Sequence, residues 1–222
     1  MSFLVRVQLP DEPGSLGALA EAFGVVGGNI QSVDIVDVSP TGTVTDDIVI
    51  ELPTGSMPDT LITAVSAVDG AEVDSIRPFA GRVDRRGQIV MLADLARQRA
   101  NRQRAIEGLV ERIPQSMTAT WAIMVASDET IHRVAESQAA PGDDGTVPSA
   151  IDVTTARTLH PEDETWIPES WSLLDTALAA AALPGTELTL ILGRHGGPDF
   201  LASEVEHLGN LADIVGPLLA QS

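Results

Sequence analysis

The spacing of apolar side chains over the first eighty residues changes between two periods, and the order of these changes most constrains the fold. Over residues 3–9 apolar side chains recur at every second position, which is the period of a half-buried strand. Over residues 15–26 they recur at intervals of three and four, which is typical of a helix lying on a sheet. The same criteria predict strands at 29–38 and 44–52, a helix after Pro58, and a fourth strand at about 71–77.

This β-α-β-β-α-β order predicts a ferredoxin-like unit in which two helices cover one face of a four-stranded sheet. Gly27 and Gly28 are expected to end the first helix, and Ser56 is expected to cap the second. The other sheet face would expose apolar side chains, with Leu4, Val36 and Val38 as candidates. We therefore expect another sheet or domain against that face.

The second half of the chain is predicted to be a separate α+β domain. The polar segment RVDRRG is interpreted as a linker, so the predicted domains are 1–81 and 82–222. Long helices are predicted at both ends of the second domain, over 88–113 and 201–220. Between them the pattern predicts strands over 118–127, 131–138 and 187–194, a helix over 172–183, and an ambiguous region at 150–172 in which IDVTTARTL is read as a short helix.

Composition excludes several classes of function. The chain of 222 residues is 44% hydrophobic, enough for one large core or two small ones, and carries a net charge of -19. That charge argues against binding to nucleic acid or to an anionic membrane surface. Without cysteine there is no thiolate nucleophile, and every basic side chain is arginine, which excludes Schiff-base lysine chemistry. No transmembrane run or signal peptide is recognisable, so we expect a cytoplasmic protein.

Motifs for catalysis or for metal binding are not found in the sequence. The four histidines lack metal-site spacing, and no nucleophile elbow or dinucleotide fingerprint occurs. The acidic loop after His160 is interpreted as solvated, GRHGGP (193–198) as a structural turn, and the arginine-rich 97–104 as a solvated or partner-contacting face. We expect no enzyme, no cofactor and no metal. A hidden enzyme would depend on a cleft residue such as His195 or Asp175.

The turn between the first strand and the first helix is the best candidate binding site. A helix that starts directly after a strand presents free N–H groups and the positive end of its dipole, which suit a carboxylate. Asp11 could face an ammonium group, and the amide of Asn29 could contact both charges. The candidate residues are Asp11, Pro13, Gly14, Leu16, Asn29 and Ile30. The alternative is a plain turn, with Asn29 as a left-handed connector between helix and strand.

The first eighty residues resemble an ACT domain. The similarity rests on DEPGSL after the first strand, on GGNI at the start of the second, and on the βαββαβ order. The resemblance implies binding of a small ligand, chiefly an amino acid, at an interface between two such domains. It places the ligand between the β1–α1 turn and β2, on the six candidate residues. Many ACT domains serve only for association, so this alternative stays open.

The second half is similar to a GAF domain in its long first helix, in the strand TWAIMVAS and in LTLILGRHGGPDFLASEV before the last helix. That resemblance implies a small-molecule pocket or a dimerisation module. Together the two resemblances predict a non-catalytic regulatory protein that senses a small ligand, an amino acid by preference, as a dimer or higher oligomer. The alternative is an assembly module that binds no ligand and acts through an unidentified protein partner.

Overall fold

The chain divides into two compact units, Met1–Val83 and Asp84–Ser222. The computed structural model describes residues 1–79, 85–143, 145–146 and 148–220, with backbone only at 85 and 86. Of the predicted linker 82–87, residues 82–84 lie outside the described residues, and 85–87 belong to a helix. Among the described residues, no helix is both long enough and apolar enough to cross a membrane.

The first unit has the element order β-α-β-β-α-β that the apolar periods predict. Its elements are β1 (Ser2–Pro10), α1 (Ser15–Val25), β2 (Asn29–Ser39), β3 (Thr43–Glu51), α2 (Asp59–Ser66) and β4 (Glu72–Pro78). The strands form one sheet in the order β2-β3-β1-β4, with every neighbouring pair antiparallel. β2 is therefore an edge strand of this sheet.

One face of this sheet is covered by α1 and α2, as the alternation predicts. The helix-facing residues of β1 and β3 form a core with Leu19 and Phe23 of α1 and with Leu61 of α2. α1 ends where expected, because Gly27 takes a φ of +77° and the Gly28 N–H donates to the Phe23 carbonyl at 2.8 Å. The predicted Ser56 cap is wrong. Pro58 occupies the cap position of α2, and no side chain bonds there.

The opposite face of the sheet carries a second, smaller cluster. Leu4, Val49 and Phe79 are buried there, beside an Arg6–Asp47 ion pair in which Arg6 Nε donates to Asp47 Oδ1 at 2.7 Å. Val38 was expected on this face, and that prediction is wrong. It pairs with Val44, lies on the helix-covered face, and is 58% exposed, because two register shifts in β2 change the side on which its residues fall.

The second unit is a five-stranded antiparallel sheet with helices at both ends of its sequence. Its elements are α3 (Arg85–Gln98), α4 (Arg102–Ser116), β5 (Trp121–Ser127), β6 (Ile131–Glu136), β7 (Arg157–Leu159), α5 (Glu169–Ser172), β8 (Thr176–Ala182), β9 (Leu188–His195) and α6 (Ala202–Ala220). The strand order is β6-β5-β9-β8-β7. α4 and α6 bury apolar stripes against one sheet face, where Leu109, Ile113 and Leu208 are almost fully buried. The predicted strands at 118–127, 131–138 and 187–194 and the helix at 201–220 are confirmed within a few residues.

The predicted single helix over 88–113 is instead two helices. The Asn101 side chain accepts a hydrogen bond from the Arg104 N–H at 3.2 Å and begins α4. Ile89 is 66% exposed, and Met91 and Leu95 supply the buried side of α3. The asparagine cap therefore divides the region into two helices, although the apolar spacing alone predicts one continuous helix.

The predicted helix over 172–183 is wrong, and so is the short helix in IDVTTARTL. The alanine-rich part of 172–183 is strand β8, which pairs with β9 on one side. On its other side β8 pairs with β7, a strand within IDVTTARTL. Ala179 and Ala181 face the helices, and Ala180 faces the other core. Alanine has the highest intrinsic helix propensity, but pairing within a buried sheet outweighs this preference of a few tenths of a kcal/mol per residue.

Candidate functional site

The turn after β1 begins α1 through a glycine and not through a capping side chain. The Asp11 N–H donates to the Gly42 carbonyl at 2.9 Å, which fixes the turn to the β2–β3 connection. Gly14 then takes a φ of +104° at the cap position, and no side chain bonds to the helix start there. A residue with a β-carbon would be strained at this φ, so the turn requires glycine.

Space is open around this helix start. A β-carbon built on Gly14 or on Gly17 would have no heavy atom within 4 Å. Asp11 and Pro13 are exposed, and Leu16 is 39% exposed. The predicted residues Asp11, Pro13, Gly14 and Leu16 therefore surround one accessible helix start, where an anionic group would meet the positive end of the α1 dipole.

Asn29 and Ile30 lie at the opposite end of the same sheet. Asn29 and Ser2 both pair with Glu51, whereas Pro10, the residue before Asp11, pairs with Thr43. Ser2 and Pro10 are eight positions apart along β1, which corresponds to roughly 27 Å. Asn29 is exposed and Ile30 packs partly on the core. One copy of the chain therefore does not bring the six predicted residues together.

The interpretation of Asn29 as a left-handed connector is also wrong. Among the described residues, the non-glycine positive φ angles belong to Thr118, Leu174 and Asp175. Gly27 makes the left-handed turn between α1 and β2, and Asn29 is the first residue of the strand.

The search for binding motifs missed Asp46, a buried carboxyl group on β3. It lies on the helix-covered face with Ile48 and Ile50 and is 2% exposed. Burial raises its pKa above the ordinary 3.8, and the nearby negative charges of Asp34 and Asp47 add to this increase. The signal was visible in the sequence, because an aspartate interrupts an otherwise apolar alternation.

Replacing this carboxyl group should stabilise the fold above acidic pH. The raised pKa means that the folded state holds the Asp46 proton more tightly than the unfolded state. The free energy of unfolding therefore falls as pH rises above about 4 through the folded-state pKa. We expect Asp46→Asn to raise the free energy of unfolding by about 1 kcal/mol at pH 8 and to leave it nearly unchanged at pH 4. Urea titrations at both pH values measure this difference, and a loss of stability at pH 8 would contradict it.

The glycine-rich turn at 193–198 in the second unit holds a buried arginine. Arg194 is fully buried, and its Nη2 donates to Glu204 Oε1 at 2.5 Å and to Thr118 Oγ1 at 2.8 Å. Its guanidinium also lies 4.0 Å from the centre of the Phe200 ring. These contacts join the end of β9 to the start of α6, and they agree with the interpretation of this segment as a structural turn.

His195, named as a possible cleft residue, accepts a hydrogen bond from a buried tryptophan. Trp121 Nε1 donates to His195 Nε2 at 3.0 Å, which requires a ring without a proton on Nε2. Burial lowers the pKa of His195 and favours that neutral form. The surrounding sheet face is packed with Trp121, Trp171, Ile123 and Ile191. Asp175, the second residue on which a hidden enzyme would depend, is exposed in the turn before β8.

The acidic loop after His160 is organised by an arginine. Arg157 Nη2 donates to Glu164 Oε2 at 2.5 Å, and this bond lowers the pKa of Glu164 to about 2. The His160 N–H and the Trp166 indole also donate to Glu164. Its oxygens are thus occupied, and the described residues contain no cluster of three or more potential metal ligands.

A groove of about 630 Å³ lies between α6 and the β7 edge, lined by Glu206, Asn210 and Asp213 among others.

Comparison with known proteins returns structural similarity to GAF domains. No protein-family model matches the chain, and no curated protein matches it significantly in sequence. The GAF domain of a putative sensor histidine kinase from Pseudomonas syringae pv. tomato is 14% identical with a TM-score of 0.42, over 62% of this chain and 88% of that one. The GAF domain of Acinetobacter phosphoenolpyruvate-protein phosphotransferase is 12% identical with a TM-score of 0.44, over 60% and 93%. The A. aeolicus nlh2 GAF domain, in an inactive state, is 11% identical with a TM-score of 0.41, over 63% and 96%.

Proposed function

We propose that the chain is a non-catalytic regulatory protein whose first unit is a ferredoxin-like, ACT-like domain that binds an amino acid between two copies. The second unit is proposed to be a GAF-like domain that contributes to dimerisation. The carrying observation is that the candidate residues lie at the two ends of one sheet, with Asn29 and Ile30 at the start of its edge strand β2. A site that includes both ends therefore needs a second copy.

Pairing of two β2 strands would bring the two ends together. In a symmetric antiparallel pair centred near Asp34, Asn29 of one copy lies opposite Ser39 of the other. Ser39 and Pro10 both pair with Thr43, so this is the end at which the Asp11 turn begins. The separation falls from roughly 27 Å along the strands to three strand spacings, roughly 14 Å. Each pair of copies would then contain two equivalent sites.

The apolar residues on β2 support this pairing. Val33, Ile35 and Val38 lie on the helix-covered face, yet they are between 39% and 58% exposed. Exposed apolar side chains on a long edge strand favour contact with a second sheet. The same feature favours the alternative in which the unit only assembles and binds no ligand, so the test must separate the two.

The second unit offers a further apolar surface for self-association. Ile89 and Val90 on α3 and Ile214 on α6 are each about half exposed or more. Exposed isoleucine and valine on neighbouring helices suit packing against a second copy. With no catalytic domain proposed in the chain, a ligand would act by changing how two copies associate. That requires different affinities for the two arrangements.

Complementation between two inactive variants tests the proposed site. We expect one or two of the twenty amino acids to raise the melting temperature, since a ligand at 100 times its Kd stabilises by roughly 2.7 kcal/mol. Asp11→Ala and Asn29→Ala should each abolish this response. When the two variants are mixed and allowed to exchange, each mixed dimer contains one intact site and one doubly altered site. Calorimetry should then recover up to half of the wild-type binding per mixed dimer.

The control is Asp74→Ala, an exposed carboxyl group on β4 that should leave binding unchanged. Failure of the mixture to recover binding would overturn the shared site. A flat response to all twenty amino acids, with a dimer that persists at low concentration, would favour the assembly module.

A further inference from the structure

The hydrogen bond from Trp121 to His195 requires an imidazole without a proton on Nε2. Trp121 Nε1 donates to that nitrogen at 3.0 Å, and an indole N–H can only donate. When the ring takes up a second proton, both of its nitrogens become donors, and two N–H groups then face each other. Because Trp121 is fully buried, its N–H would be left without this acceptor. Protonation of His195 is therefore incompatible with the present contact.

The indole is the fixed side of this contact. It packs on the backbone of Gly193, where a β-carbon would lie 2.0 Å from Trp121 Cε2. His195 is the last residue of β9 and is half-buried, so its ring lies closer to solvent than the indole does. An imidazolium is better solvated in water than beside a buried indole. We therefore expect His195, and not Trp121, to move when the bond breaks.

The surroundings of His195 set the pH at which this movement occurs. Burial lowers its pKa below the ordinary 6.5. Its pairing partner on β8, Thr176, does not titrate, and Arg194 is paired with a carboxylate on the other sheet face. Asp175 and Asp199 are exposed in the flanking turns.

The lowered pKa fixes the sign of the pH dependence. The unfolded chain binds the His195 proton more tightly than the folded chain does. The contribution of the neutral imidazole to stability is therefore complete above about pH 6.5 and is lost as the pH falls through the folded-state pKa.

The residue after the histidine holds a strained turn at 173–175. The Gly196 N–H donates to the Leu174 carbonyl at 3.2 Å and to the Asp175 carbonyl at 3.0 Å, and the Thr176 hydroxyl donates to the Leu173 carbonyl. Leu174 and Asp175 have φ angles of +63° and +52°, in the left-handed region that residues with a β-carbon disfavour. Leu173 and Leu174 are 57% and 73% exposed, so burial of their side chains does not offset this strain. The turn therefore depends on its hydrogen bonds.

We propose that His195 is a pH-dependent switch whose protonation breaks the bond to Trp121 and releases the 173–175 turn. Gly196 follows His195 directly, so a movement of the histidine toward solvent displaces the N–H that holds the turn. Once that N–H is displaced, Leu174 can leave the left-handed region. The switch lies within the second unit and is independent of the amino-acid site proposed above.

NMR and amide exchange test this switch in the full chain. The indole N–H signal of Trp121, assigned by its absence in Trp121→Phe, should titrate with a midpoint below pH 6.5. Over the same pH range the protection factor of the Gly196 N–H should fall about tenfold. The protection factor is the suitable quantity because it is corrected for the intrinsic pH dependence of exchange.

Two histidine variants assign the transition. His195→Gln keeps an acceptor for the indole at every pH, because the amide oxygen of glutamine does not titrate. It should remove the titration of the Trp121 signal and keep the Gly196 N–H protected. The matched control His207→Gln alters an exposed histidine that contacts Gln88, and it should leave both wild-type transitions unchanged.

A Trp121 signal that does not titrate at any pH at which the chain stays folded would overturn the inference, as would equal titration in His195→Gln. A Trp121 transition without loss of Gly196 protection would also overturn it, because the turn would then not depend on His195. Simultaneous loss of the native signals of all three tryptophans would show global unfolding and reject a local switch. If His195→Gln does not fold, coincident midpoints for Trp121 and Gly196 in the wild type support the switch, and separate midpoints contradict it.

Discussion

Arg194→Met is expected to lower the free energy of unfolding of the second unit by about 3–5 kcal/mol. The Arg194 guanidinium is fully buried and donates to the Met117 carbonyl at 3.2 Å, to Thr118 and to Glu204. Methionine fills much of the volume but donates no hydrogen bond. The Glu204 carboxylate, 9% exposed, would then lose the Arg194 guanidinium that neutralises its charge. Chemical denaturation followed by tryptophan fluorescence measures the loss.

Two further variants show whether the Glu204 carboxylate causes the loss of stability in Arg194→Met. Arg97→Met removes an exposed arginine that pairs with Asp94 and should change the free energy of unfolding by no more than about 0.5 kcal/mol. The double variant Arg194→Met with Glu204→Met should be more stable than Arg194→Met alone, because the buried negative charge is removed together with the guanidinium that neutralised it. A double variant as unstable as the single one would show that the buried carboxylate is not responsible.

Gly193→Ala should destabilise the second unit by about 3 kcal/mol, because β9 leaves no room there for a β-carbon. Gly193 pairs with Trp121 across the β5–β9 ladder. A β-carbon at position 193 would lie 2.0 Å from Trp121 Cε2 and 2.5 Å from its Nε1. The indole would have to move, which also breaks its hydrogen bond to His195. Thermal unfolding measures the stability, and the tryptophan emission spectrum reports the displaced ring.

Gly108→Ala is the matched control for this substitution. Gly108 lies within α4, and a β-carbon there has no heavy atom within 4 Å. Alanine in a helix interior is favoured over glycine, so this variant should gain up to about 1 kcal/mol. If Gly193→Ala were as well tolerated as Gly108→Ala, the close packing of Trp121 on the β9 backbone would be refuted.

The candidate site shows what could and could not be predicted from local sequence. The helix start at Gly14 is a local feature. It is predicted by the glycine after Pro13 and by the change from strand to helix spacing of the apolar residues at Ser15. The separation of Asn29 from Asp11 is set by the pairing of β1 and β2 on either side of β3, which is a contact between distant parts of the chain. Asp46 stands in an apolar alternation, but only the helices placed over β3 make it a buried acid.

The sequence by itself determined the element order of the first unit, the ends of α1 and the long terminal helix, because periodicity and glycine act through neighbouring residues. Tertiary structure alone decided that the alanine-rich stretch at 176–182 is a strand, since its partners β7 and β9 lie outside it in sequence. It also decided that the Asp46 carboxyl group is buried and that Arg194 is buried in an ion pair with Glu204. Burial and strand register depend on contacts between segments that are distant in sequence, so a local sequence pattern does not predict them.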